Sequence, residues 1–369
     1  MSVKQLVRNC VLKIKPYKPG KPIEELKREF NLRNIRKMAS NENALGASAK
    51  AVAAIKKHLA DINRYPDGEC FYLKKALAKK YGLKAESLII GNGSDEIINL
   101  AVRAFINKGD EVVIAEPTFL IYKLAATLAD AKVITVPLKA YRYDLAAIKS
   151  KITNRTKLVF IANPDNPTGS YVTRDEIENF LRGLPKQVIV FFDEAYYEYV
   201  ESKDYPNTME YLGRGHIIIS RSFSKIYGMA GLRIGWATAS REIIGYLNSV
   251  REPFNVNRLA QVAAGAALDD KKHVERSKKM VRIGRKFLCE EFNKLNLFYV
   301  RSVTNFILVN LGRKAGFIYN RLLGKGIIVR EMSDWGLSNF IRVTIGTMPE
   351  NRLFLKELKK IMFELKKGV

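Results

Sequence analysis

The stretch Ser220 to Gly235, S-R-S-F-S-K-I-Y-G-M-A-G-L-R-I-G, concentrates residue types able to do chemistry. It follows Ile217-Ile218-Ile219, a β-branched run that predicts a short buried strand. Ser222 and Ser224 bracket Phe223, Lys225 comes next, and Arg233 lies beyond a glycine-rich turn. A lysine at a strand end, among hydroxyls able to hold a phosphate, is placed to form a Schiff base with a carbonyl-bearing cofactor. Arg233 adds a fixed fork of donors that suits a phosphate dianion. The same residues also allow a plainer reading, a surface lysine behind a strand with glycines that only turn the chain. This stretch by itself accommodates both.

Other segments carry groups of matching chemistry. G-N-G-S-D-E, Gly91 to Glu96, follows an apolar run and opens a helical pattern, so Ser94 can cap it and its free N–H groups can meet an anion. E-P-T-F-L puts Phe119 just past another run, where a ring could lie on a flat cofactor or simply join the core. In N-P-D-N-P-T-G, Asn163 to Gly169, two Asn-Pro pairs force an extended, turning backbone and leave Asn166 as a neutral donor. F-F-D-E-A-Y-Y places Asp193 behind two phenylalanines, an expensive position for a carboxylate without a cation. A protonated pyridine nitrogen would be such a cation, and Tyr196 could donate to a phenolate oxygen of the same ring. A helix-capping aspartate and a core tyrosine are the plainer reading, and this segment taken alone leans slightly towards it.

The elements that must position these groups are legible in the period of the apolar residues. Runs of strand length occur at 88–90, 112–115, 133–136, 158–161, 188–192, 217–219 and 234–237, mostly separated by helical stretches such as 95–105 and 174–182. This predicts an α/β sheet covered on both faces, with chemistry in the loops at the carboxyl ends of its strands. Upstream, K-P-Y-K-P-G-K-P reads as an arm, 23–31 as an amphipathic segment, and 48–60 and 70–81 as helices. Downstream, a helical stretch reaches roughly Lys294, strands follow at 302–311, 326–330 and 339–347, and 353–367 is a terminal amphipathic helix. Alternation in the third strand sets Arg342 and Thr344 on the face opposite Ile341 and Val343.

Composition bounds the rest. A chain of 369 residues, 47% hydrophobic and 27% charged, suits a folded protein of about two domains. No apolar run reaches membrane-spanning length, and the N-terminus lacks a signal-peptide core. Cys10, Cys70 and Cys289 have no CxxC spacing, which predicts neither disulfide nor metal site and fits a reducing, cytoplasmic setting. The net charge of +26 raises nucleic-acid binding. The lysines are nevertheless spread along the chain in pairs on polar helix faces, as in a solvated surface, so no nucleic-acid partner is expected.

With Asn166, Asp193, Tyr196, Lys225 and Arg233 in this order, the chain resembles the fold-type-I pyridoxal-phosphate aminotransferases, and more narrowly the histidinol-phosphate aminotransferase family. The narrower match rests on Y-K-P-G-K-P, S-N-E-N-A-L-G, N-R-Y-P-D-G, N-P-D-N-P-T-G, D-E-A-Y, S-F-S-K, G-L-R-I-G, P-F-N-V-N and G-L-S-N-F-I-R-V-T-I-G-T, spread over residues 17 to 347. Ala44 stands where the family usually has proline, and Asp165 where it often has asparagine. The resemblance implies a large domain, 46–260, with a mostly parallel seven-stranded sheet covered by helices, and a smaller α/β domain, 261–369. Residues 1–45 would form an arm and part of the small domain.

It also implies roles. Lys225 would hold pyridoxal 5′-phosphate covalently and shuttle a proton, and Asp193 would pair with the pyridinium nitrogen. Asn166 and Tyr196 would bond the ring oxygen, while Phe119 stacks on the ring. Gly93, Ser94, Asp95, Ser222, Ser224 and Arg233 would hold the phosphate, and Tyr65 would reach the cofactor phosphate of the neighbouring subunit in a homodimer. Tyr17, Asn43, Arg330 and Arg342 would bind substrate. The implied reaction interconverts histidinol phosphate and 2-oxoglutarate with imidazole-acetol phosphate and glutamate. Relatives with the same cofactor residues transaminate aromatic amino acids or decarboxylate phosphothreonine, and the family-wide motifs favour histidinol phosphate. Transcription regulators that use this fold carry a DNA-binding domain ahead of it; with the fold expected to begin near Met1, a regulator of that kind is not expected.

Overall fold

The computed structural model describes residues 2–367 apart from Tyr17, Lys18 and Arg33. Its strands, in chain order, are β1 (Arg36–Lys37), β2 (Leu88–Gly91), β3 (Glu111–Glu116), β4 (Lys132–Pro137), β5 (Thr156–Ala162), β6 (Ile189–Asp193), β7 (His216–Ser222), β8 (Gly235–Thr238), β9 (Phe306–Asn310), β10 (Ile327–Ile328), β11 (Arg330–Glu331) and β12 (Phe340–Thr344). The seven apolar runs of the central region all become strands of one sheet, in the order β2-β8-β7-β6-β5-β3-β4. Only β8 runs against its neighbours; the other ladders are parallel. Continuous burial along β5, β6 and β7 is what a sheet covered by helices on both faces requires.

Register decides where the chemistry lies. Ala162 of β5 pairs with Asp193 of β6, and Asp193 with Ser220 of β7, so the loops beginning at 163, 194 and 223 leave the sheet at one edge. Gly91 pairs with Gly235, which brings the turn before the helix Ser94–Phe105 to that same edge. Because β8 is antiparallel, its start rather than its end lies there, and Arg233 joins the group. A Cβ on Gly235 would stand 2.6 Å from the Ser94 backbone nitrogen, so only glycine lets the helix approach this closely.

A second sheet, β11-β12-β9, is antiparallel, and β1 pairs in parallel with β10. The predicted strand 326–330 therefore divides: Ile327–Ile328 binds the N-terminal arm, while Arg330–Glu331 binds β12. The single long helix expected after 261 is two, Arg258–Leu268 and Lys271–Lys294. Asp270 explains the break, since its side chain accepts from the His273 backbone N–H and caps a new helix. At the terminus, Thr347 and Glu350 form a capping box that starts the helix Met348–Lys366.

Beneath the functional edge lies a charged pair sealed from water. Arg221 of β7 and Glu194, just after β6, are 1% and 0% exposed, with Nε donating to Oε2 at 2.8 Å. The guanidinium lies 3.5 Å from the ring centroid of Tyr197, and Glu194 also accepts from the Thr208 hydroxyl. These contacts tie the ends of β6 and β7 together. Arg221→Met strands the Glu194 charge, and a loss of about 3–5 kcal/mol in urea denaturation is expected. A loss below about 1 kcal/mol would show that the pair does not hold this edge.

Candidate active site

The loops at that edge enclose a cavity of about 200 Å³. Asp193, Asn166, Tyr196, Phe119, Lys225, Arg233, Ser94, Asp95, Ser222 and Ser224 all line it, so residues spread over more than a hundred positions meet in one place. Asp193 forms the floor, 5% exposed and backed by fully buried Phe191 and Phe192. Its Oδ2 accepts from the Tyr122 hydroxyl at 2.7 Å, and its Oδ1 from the Ala195 N–H at 3.2 Å. Burial pushes the carboxyl up to about 6 in spite of these bonds and of the nearby Lys225 charge. Tyr122 carries no obvious sequence signal except its place three residues after Phe119 on the helix Leu120–Leu128. It is fixed by stacking on Phe160 at 4.6 Å between centroids.

Lys225 enters from the loop after β7, its Nζ 3.5 Å from the Ser40 carbonyl and 5.6 Å from the centroid of Tyr196. Tyr196 is 3% exposed and accepts from Asn41 Nδ2 at 2.8 Å, which leaves its own hydroxyl proton for a group in the cavity. Asn166 uses its carbonyl oxygen to accept from Arg342 Nη1, and its NH₂ remains a donor. Arg342 also donates to the Ala39 carbonyl at 2.9 Å and lies 5.1 Å from the Phe306 ring. Both faces of β12 are covered, so the expected alternation does not expose Arg342; it is 5% exposed.

The opposite end is built for an anion. Gly93, at φ +84°, precedes the first helical residue, Ser94, so the helix starts one residue earlier than a Ser94 cap would have it. The Gly93 N–H is spent on the Gly91 carbonyl at 2.8 Å and the Asn92 N–H on Glu96, so Gly93 is not the anion donor expected of it; Ser94 and Asp95, at the helix start, line the cavity with Ser222, Ser224 and Arg233. Arg233, itself at φ +55°, is held by Asp95 at 3.2 Å and by the Ala230 carbonyl, also at 3.2 Å. A Cβ on Gly93 would come within 2.5 Å of Arg233 Nη2. A buried carboxylate wanting a cation at one end and a cradle of N–H, hydroxyl and guanidinium donors at the other fit a phosphorylated pyridine ring with Lys225 beside it.

Other expected residues stand elsewhere. Arg330 is 7% exposed, 5.0 Å from the Trp335 ring and 3.4 Å from Asp334; neither it nor Arg342, its partner across the β11–β12 ladder, is in the cavity wall, although Arg342 reaches that wall through Asn166. Asn43, expected at the substrate, is placed differently, because its amide donates to the Ile226 carbonyl at 2.7 Å and to Ser277 Oγ at 2.8 Å. It therefore braces the lysine loop from behind. Tyr65 is 79% exposed and stacks on Phe254 at 4.7 Å, away from the cavity of its own chain. Tyr17 lies outside the described residues.

Residues 33–358 match the family model for aminotransferase class I and II. Histidinol-phosphate aminotransferase of Moorella thermoacetica is 49% identical, covering 96% of this chain and 92% of that one. The enzyme of the same name from Caldicellulosiruptor saccharolyticus is 43% identical, covering 97% of this chain and 100% of that one. Among solved structures, histidinol-phosphate aminotransferase from Sinorhizobium meliloti in complex with pyridoxal-5′-phosphate superposes with a TM-score of 0.89 at 26% identity, covering 97% of this chain and 98% of that one. A match along nearly the whole length, together with a lysine and a buried aspartate meeting at the strand ends, leads to one conclusion: the chain belongs to the aminotransferase class I and II family.

Proposed function

We propose that the protein is a pyridoxal-phosphate-dependent aminotransferase that exchanges an amino group between histidinol phosphate and 2-oxoglutarate. The observation that carries this reading is the meeting of Lys225, Asp193 and an anion cradle in one cavity, within a chain 49% identical to a histidinol-phosphate aminotransferase. The bound cofactor supplies the electron sink. Asp193 would pair with the protonated ring nitrogen, and the Tyr122 hydroxyl helps to hold that carboxylate anionic. Asn166 and Tyr196 would donate to the ring oxygen, and Phe119 would lie against the ring. Backbone N–H groups at Ser94 and Asp95, with Ser222, Ser224 and Arg233, would hold the phosphate. Lys225 would hold the cofactor through Nζ and, once the substrate's amine has displaced it, its freed Nζ would be the base placed to take and return the proton at the substrate carbon. Arg342, supported by Arg330 and in this reading by Tyr17, grips the substrate anion through its fork of donors.

Lys225→Ala is expected to lower turnover by about 10⁴-fold and to abolish the borohydride-trapped adduct. A trapped adduct that persists at the same site sinks the lysine assignment. For the donor, kcat/KM with histidinol phosphate is expected to exceed that with phenylalanine. Equal or better use of phenylalanine would assign the enzyme to aromatic amino acids instead.

The pH dependence of the cofactor-free protein has a definite sign. The Asp193 carboxyl is raised to about 6, so between about pH 4 and pH 6 the folded chain keeps a proton that the unfolded chain has released. Its contribution to stability falls as pH rises through that window and is a penalty above it, on the order of 2–3 kcal/mol. Urea midpoints should therefore favour Asp193→Asn over wild type at pH 7.5 more than at pH 4.5. A pH-independent difference would show that the carboxyl does not titrate there.

We also read the protein as a homodimer. Tyr65, Phe71 and Tyr72 are 79%, 59% and 82% exposed and lie close in sequence with Ile62, at 68%, side chains that suit a surface facing a second copy. The dimer would bring Tyr65 to the partner's phosphate cradle. Sedimentation at twice the chain mass is expected, and a monomer with full activity would overturn the shared site. No helix among the described residues is long and apolar enough to cross a membrane. Three free cysteines suit the cytoplasm as the place of action.

A further inference from the structure

Asp165 precedes Asn166 and is 1% exposed, yet it is surrounded by neutral donors. Its Oδ1 accepts from Thr118 Oγ1 at 2.7 Å, and its Oδ2 accepts from Thr168 Oγ1 at 2.8 Å and from the Thr168 N–H at 3.3 Å. Burial pushes the carboxyl up to about 6, and above that pH the charge is held at a penalty to folding. An asparagine of the same shape would avoid the penalty. A carboxylate kept under those terms calls for a role that an amide fills less well.

The hydrogen bonds supply one. Thr118 stands directly before Phe119, and Asp165 directly before Asn166, so the Thr118–Asp165 bond joins the two loops that carry a ring-stacking residue and a ring-oxygen donor. The backbone carbonyl of Thr118 accepts from Trp335 Nε1 at 2.9 Å, which anchors the junction to the turn beside Arg330. Thr118 Oγ1 also lies 2.7 Å from the Tyr143 hydroxyl. A carboxylate can only accept, so the Thr118 proton must point at Asp165 and the Tyr143 proton at Thr118. An amide or a protonated acid carries a donor of its own and lets this chain of bonds reverse. The ionisable groups that sense Asp165 are Tyr143 and Tyr122, with Asp193 bonded to the latter.

We propose that Asp165 is a positioning residue: as an acceptor-only anion it fixes the direction of the bonds joining Thr118 to Thr168, and thereby the spacing between Phe119 and Asn166. The proposal rests on the reading that the cavity holds a phosphorylated pyridine ring. Its test is the affinity of the full-length, cofactor-free protein for pyridoxine 5′-phosphate, a probe that cannot bond Lys225, measured by calorimetry at pH 8 beside the melting temperature.

Asp165→Asn is expected to weaken binding by about 5–10-fold while melting at or above the wild-type temperature. A residue with a merely structural role would lose both together. Thr118→Val should weaken binding similarly, Thr118→Ser should restore it, and the Thr118→Val, Asp165→Asn double variant should bind no worse than the weaker single. Wild-type affinity in Asp165→Asn, a fall in its melting temperature alongside affinity, or a double loss equal to the product of the singles each overturns the proposal. Failure of the wild-type protein itself to bind the probe would instead overturn the cofactor reading, and the proposal with it.

Discussion

A carboxylate held out of water at the end of a central strand is the constraint to which the rest of the molecule answers. Asp193 has two phenylalanines behind it, a tyrosine hydroxyl and one N–H as donors, and no salt bridge to a guanidinium among the described residues. Such a group is poorly solvated by its own chain and well prepared for a cationic ring. Its position demands a fully buried parallel core, because only strands covered on both faces keep water from its underside. The Glu194–Arg221 pair next door shows how the chain treats a charge with no such visitor, which is to set an opposite charge of its own against it.

Parallel register then performs the assembly. Strands that end level deliver their following loops to one rim, so Asn166, Asp193 and Lys225 need no specific contact with each other to be neighbours. Sequence separation along the chain is converted into lateral spacing across hydrogen-bonded strands of about 4.8 Å each. This is why loops with little helical or strand character can hold a site as fixed as the sheet below them.

Much of this could be read from residue order. The seven strands and most helices declared themselves by period, and the cavity residues by standing just after apolar runs. What escaped notice were groups whose importance exists only in three dimensions. Tyr122 looks like any tyrosine on a helix until the fold brings it under Asp193, and Asn41 is one polar residue among several in its turn. The division of 326–330 between two sheets depends on the remote partners Arg36 and Arg342, which no local pattern reveals. Asn43 was legible as important and not as a brace, because its contacts with Ile226 and Ser277 span the chain.

The antiparallel strand β8 has a mechanical consequence. Lys225 and Arg233 ride on one short span between β7 and β8, whose ends are clamped by the pairing of Ser222 with Gly235. Arg330 and Arg342 belong to a different sheet. In the proposed reading the molecule thus keeps its anchor points on one chassis and would mount its anion grip on a separate frame. A hinge between the two would let the jaw open and shut while the wheelbase from lysine to Arg233 stayed the same length.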